Sequence, residues 1–143
     1  MKRILGLLVL SLFVLSVIKS SAQSSSKTTS ENTIKSFITK MYNEGQYEDY
    51  AFLQKHCSQE LLQKLQEAYP YDTDGVAYAT WLFRSGMQDA KPESDEKTTM
   101  LDIKNKGDWY TYTALDMGWK FTNSIKVIIK DSMIVITDML ITQ

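Results

Sequence analysis

The chain has 143 residues, 43% of them hydrophobic and 23% charged, which is enough for one domain with its own core. Its 16 basic and 17 acidic side chains leave no basic excess, and an acidic domain without a basic stripe is a poor nucleic-acid binder. A single cysteine, Cys57, excludes an internal disulfide.

Lys2 and Arg3 precede an apolar run from Ile4 to Ile18, and Ser20, Ser21 and Ala22 supply small residues before Gln23. This order predicts a secretory signal peptide over 1–22 and an exported protein, periplasmic or extracellular. The run is shorter than the ~18–20 residues of a spanning helix. No second apolar run is long enough to cross a membrane, so no span is expected after signal removal. Losing Lys2, Arg3 and Lys19 leaves 13 basic residues against 17 acidic ones, a net charge of −4.

Residues 23–30 are Ser/Thr-rich without an apolar side chain, which predicts a flexible tether before a single domain over 31–143. Ser30 is placed as an N-cap, with Glu31 in the first turn. Ile34, Phe37, Ile38, Met41 and Tyr42 then form an amphipathic stripe, and Gly45 stands where a stop belongs. A second helix is expected from Tyr47 to about His56. Ser58 caps a third, striped by Leu61, Leu62, Leu65, Ala68 and Tyr69 and stopped by Pro70. His56 and Cys57 adjoin, but neighbours on a helix do not face each other. Cys57 therefore reads as a small buried hydrophobe rather than half of a nucleophile pair.

Tyr71-Asp72-Thr73-Asp74-Gly75 is a turn by composition. Its acidic pair lacks the further oxygen ligands and closing glutamate of a calcium loop. Val76 to Arg84 fits a strand through Val76, Tyr78, Thr80 and Leu82, or a helix through Ala77, Trp81 and Arg84. The helix is preferred because Gly86 follows as a stop. Gln88 to Lys97 is polar, contains Pro92, and joins the helical half to the last third.

That last third alternates with a period of two. Strands are expected from about Thr98 to Lys104, from Trp109 to about Asp116, from Trp119 to Lys130, and from Met133 to about Met139. Asn105-Lys106-Gly107-Asp108, Gly118 and Asp131-Ser132 mark the turns. Trp109, Thr111, Thr113, Leu115 and Met117 share one face. Trp119, Phe121, Ile125, Val127 and Ile129 share one face of the next strand, opposite Lys120, Lys126 and Lys130. The fourth strand is apolar on both faces through Ile134, Val135 and Ile136, which suits a central or covered strand. The fold class is α+β, with N-terminal helices packed on a curved, cone-like, four-stranded antiparallel β-meander. Ile34, Phe37, Ile38, Leu61, Leu65, Trp109, Leu115, Ile125, Val127 and Ile134 are its expected core.

The pattern resembles the nuclear-transport-factor-2-like and cystatin-like α+β superfold over roughly Ser30 to Leu140. More narrowly, AFLQKHCSQEL from Ala51, DGVAYATWLFRSGMQD from Asp74, DWYTYTALDMG from Asp108 and the closing IKVIIKDSMIVITDM hairpin resemble small exported bacterial proteins of unknown function. The resemblance implies a fold and no catalytic residue, because this superfold hosts enzymes, binding modules and structural domains alike.

Three functions are compatible with these residues. The first is a non-enzymatic binding or interaction domain for a small apolar ligand or a protein, using Trp81, Arg84, Trp109, Tyr110, Tyr112 and Asp116 around an apolar cavity. The second is an acid–base enzyme using His56, Asp116, Asp138 and Tyr110. The third is an interaction module or homodimer formed through the open sheet face. There is no metal-ligand spacing, glycine-rich phosphate loop or nucleophile elbow, so no cofactor is expected. Arg84 is the one arginine after residue 22 and follows Trp81-Leu82-Phe83. It is expected to be half-buried and forked onto a carboxylate, Asp116 or Asp89, with Trp81 or Trp109 as a stacking partner.

Overall fold

The computed structural model describes residues 26–71, 75–84, 90–94 and 97–141. The expected signal peptide, the acidic pair Asp72 and Asp74, the Gly86 stop and the alternative partner Asp89 lie outside them. The chain divides between Thr33 and Ile34, and the two sides are described separately.

On the first side, residues 26–33 are helical. Ser30 Oγ donates to Ser26 O at 3.1 Å and Thr33 Oγ1 to Thr29 O at 2.9 Å. Ser30 is therefore inside a helix, not its N-cap. Its hydroxyl bonds back to the preceding turn instead of forward to a free N–H.

The second side begins with α1, residues 34–43. Ile34, Ile38, Met41 and Tyr42 are buried and Phe37 is half-buried against them, as the stripe requires. The expected second helix is split. A 3-10 turn occupies Gln46–Glu48, and α2 runs Tyr50–His56. Asp49 divides them because its Oδ1 accepts from Ala51 N at 2.8 Å, which makes it an N-cap. In the same way Ser58 Oγ accepts from Leu61 N at 3.1 Å and starts α3, Gln59–Ala68. α4 is Ala77–Phe83, a helix as preferred, with Tyr78, Ala79 and Phe83 buried.

β1 (Thr99–Lys106), β2 (Trp109–Asp116), β3 (Trp119–Lys130) and β4 (Met133–Leu140) form one antiparallel sheet in chain order, and the sheet is not closed. The helices cover one face. On β2 that face is Tyr110, Tyr112, Ala114 and Asp116, all buried. Trp109 and Leu115, expected in the core, lie on the opposite face. The cause is register. The two-residue turn Met117-Gly118 pairs Asp116 with Trp119, Ala114 with Phe121, Tyr112 with Asn123 and Tyr110 with Ile125. Directly paired residues share a face, so the apolar odd-numbered face of β3 must join the even-numbered face of β2. Ile125 and Val127 are buried as expected, but Ile129 is 46% exposed at the strand end.

β4 is an edge strand by position, and its free edge is covered. The chain between α2 and α3 lies along it. Ser58 N donates to Ile136 O at 2.9 Å, and His56 Nδ1 lies 2.8 Å from Ile134 O. A bulge opposite Lys126–Val127 shifts β4 by one residue, so Ile136 and Met139 both point inward. Ile134 is half-buried against the same core.

Candidate functional site

Two places hold convergent polar side chains. The first is where α4 ends on the sheet. Phe83 closes α4 in the core, and Arg84 turns extended beside β2. Its Nε donates to Asp116 Oδ2 at 3.0 Å and its Nη2 to Asp116 Oδ1 at 2.8 Å, a bidentate fork. Asp116 is completely buried and the Arg84 side chain is 22% exposed. Arg84 Nη1 lies 3.7 Å from Glu48 Oε1, and Thr98 Oγ1 donates to Asp116 Oδ1 at 3.2 Å. The hydrogen bonds to Asp116 raise the Arg84 pKa, which keeps the guanidinium charged.

Beneath the fork is a tyrosine pair. Tyr42 Oη lies 2.6 Å from both Phe83 O and Tyr112 Oη. A carbonyl only accepts, so the Tyr42 proton goes to Phe83 and Tyr112 donates to Tyr42. Asn123 Nδ2 donates to Leu82 O and Phe83 O at 3.3 and 3.1 Å. Burial raises the pKa of both phenols above the ordinary tyrosine value. These hydroxyls act as structural hydrogen-bond partners at neutral pH. Tyr42, Tyr112 and Phe83 are among the largest fully buried side chains of the core.

The second place is a groove of about 650 Å³ beside α2, α3 and α4. Cys57, Leu62 and Tyr78 are its least exposed lining, and Tyr50, Gln54, Gln59, Glu60, Gln63 and Gln66 are exposed around it. Burial pushes the Cys57 thiol up to about 12 and raises Tyr78. Both are protonated at neutral pH, so neither is a nucleophile or a base there.

The expected site residues are therefore dispersed. Arg84 and Asp116 come together, and Tyr112, on the same face of β2, is bonded to Tyr42. Tyr110 is buried further along β2. Trp81 packs edge-on to Tyr69 and Tyr71, with ring centroids 6.3 and 5.8 Å away, rather than stacking on Arg84. Trp109 is on the far side of the sheet. Of the acid–base candidates, Asp138 pairs with Lys64 at 2.6 Å and Asp116 with Arg84. His56 packs against Phe37 and Phe52 and donates to Ile134 O.

No protein-family model matches this chain, and no curated protein matches it. It is similar to the solved structure of a protein of unknown function from Bacteroides thetaiotaomicron VPI-5482. The two are 15% identical, 86% of this chain and 98% of that chain align, and the TM-score is 0.49.

Sequence reasoning missed Tyr42, Thr98 and Asn123 as partners of the fork and the tyrosine pair. Tyr42 was legible as core but not as a hydrogen-bond donor. The signal for Asn123 is an amide at an inward position of β3, between Phe121 and Ile125.

Proposed function

We propose that this is an exported, non-enzymatic binding module of the nuclear-transport-factor-2-like class, and that its ligand seat is the groove beside α2, α3 and α4. The observation that carries the reading is the lining of that groove. Exposed glutamine amides, each able to donate and accept, and the Glu60 carboxylate surround a floor of Leu62, Cys57 and Tyr78, in which the thiol and the phenol stay protonated. Such a lining suits a small polar molecule that carries hydrogen-bond donors and no negative charge, more than the apolar one expected from the sequence. Acid–base chemistry is disfavoured because Asp116 and Asp138 are held by cations and His56 is held by a backbone carbonyl.

Native mass spectrometry of protein purified from its own host tests this. A bound small molecule is expected, and Leu62→Trp, which fills the groove, should remove it. Protein without any bound molecule, an adduct that survives Leu62→Trp, or a turnover that depends on His56 or Asp116 would overturn the reading.

A further inference from the structure

The chain leaving α3 sets three aromatic rings together at the surface. Tyr69 ends α3, Pro70 stops the helix, and Tyr71 follows. Trp81 of α4 packs beside them. The ring centroids make a nearly equilateral triangle: 5.5 Å from Tyr69 to Tyr71, 5.8 Å from Tyr71 to Trp81 and 6.3 Å from Tyr69 to Trp81. Their planes lie 69°, 81° and 66° apart, so each ring stands close to upright against the other two. Tyr71 is 56% exposed, and Tyr69 and Trp81 are half-buried, so the cluster opens to solvent.

The chain around these rings is acidic. From Leu65 to Phe83 it carries Glu67, Asp72 and Asp74, and no lysine, arginine or histidine. The bases that bound this stretch are committed elsewhere, Lys64 to Asp138 and Arg84 to Asp116. Glu67 accepts from Gln63 Nε2 at 2.8 Å, a neutral donor that leaves its charge in place.

We infer that Tyr69, Tyr71 and Trp81 form an open aromatic box for a quaternary ammonium cation such as choline. With upright planes at these spacings, a point faced by all three rings lies about 4 Å from each centroid, inside the ~6 Å reach of cation–π attraction. Each ring presents a negative face, and the three acids add to the same field. A methylated nitrogen suits the box because its methyl groups rest on ring faces and it gives up no N–H bonds to water. An ammonium with N–H groups is strongly hydrated and would exchange that water for rings. The acids also select a cation without an anion of its own, so choline fits better than the zwitterion betaine. None of the three rings lines the groove, and the inference is independent of it.

Calorimetric titration of the full chain at constant ionic strength tests it, with choline, its uncharged carbon isostere dimethylbutanol, and betaine. Choline and the isostere share one shape and differ in charge, so choline should bind at least about tenfold more tightly. Betaine should bind more weakly than choline. Tyr71→Leu, at an exposed ring, should remove most of the choline affinity with thermal unfolding unchanged, while Tyr71→Phe, which keeps the ring, should retain it. Absence of choline binding at millimolar concentration, equal affinity for the isostere, betaine binding as tightly as choline, or unaltered affinity in Tyr71→Leu would overturn the inference and leave the cluster as ordinary aromatic packing.

Discussion

Arg84→Ala is expected to destabilise this fold more than Asp116→Ala. Asp116 is wholly buried, so removing Arg84 strands a carboxylate away from its cation, at ~3–5 kcal/mol. Removing Asp116 instead leaves an arginine that reaches water and Glu48, at a cost nearer ~1–2 kcal/mol. Urea unfolding of both single variants and the double variant measures the order and the coupling. A coupling above about 1 kcal/mol is expected, and additive losses or the reverse order would refute the pair. The fork was legible because Arg84 is a solitary arginine beside an aromatic run, and a confined site favours a planar fork over a hydrated ammonium. Its surroundings were not. Trp81 and Trp109 are close to Arg84 or Asp116 in sequence, but helix and strand periodicity turn each ring to another side.

The β2–β3 turn is held by a contact that sequence alone does not reveal. Gly118 has φ +81°, and a Cβ there would sit 2.8 Å from Ser94 Cβ and 3.1 Å from Lys91 Cβ. The chain at 91–94 docks on this turn, with Lys91 N and Ser94 Oγ both donating to Met117 O at 2.9 and 3.0 Å. Gly107, in the β1–β2 turn, has φ +65° but open space around it. Gly107→Ala should therefore cost about 1 kcal/mol, the conformational penalty alone. Gly118→Ala should cost ~1–3 kcal/mol more, because the clash is with Cβ atoms that cannot swing away. Thermal unfolding of the two variants checks the difference, and equal losses would mean that the 91–94 segment is not docked. The same turn holds a lesson about strand faces. A two-residue connection fixes which parity of β2 meets which parity of β3. The inward position of Tyr110 and Tyr112 was thus readable from Asp116-Met117-Gly118-Trp119 once β3's apolar face was known. Ranking the two β2 faces by greasiness alone favoured Trp109 and Leu115, and that ranking gave way to register.

At the scale of the whole molecule, alkaline pH should loosen the fold in two stages. Burial holds the Cys57 thiol proton up to about 12 in the folded chain, while the exposed thiol of the unfolded chain releases it near 9. Between pH 9 and 10 the unfolded state therefore binds fewer protons, and stability falls with rising pH by up to about 1.4 kcal/mol per unit. Above 10 the unfolded phenols of Tyr42 and Tyr112 add to the same slope, because both are held protonated in the fold. Denaturant unfolding from pH 7 to 11 measures this. Cys57→Ala should flatten the slope between pH 9 and 10 and leave the steeper fall above 10 intact. Unchanged slopes across 9–10 would place the thiol in water.

The sequence by itself determined the α+β order, the four strands and most of their ends, the Ser58 cap, the Pro70 stop and a carboxylate fork for Arg84, with Asp116 and Asp89 both open as its partner. Each of these rests on local periodicity, on one residue's backbone preference, or on a charge with few places to go. Only the tertiary structure decided the rest. β4 escapes being a bare edge because residues 56–58 reach its free carbonyls across about 80 residues of chain, as Ser58 N does to Ile136 O. Tyr42 and Tyr112 are buried together because a phenol from α1 and one from β2 satisfy each other in the core. Such pairings depend on which distant groups meet, and no spacing along the chain encodes that by itself.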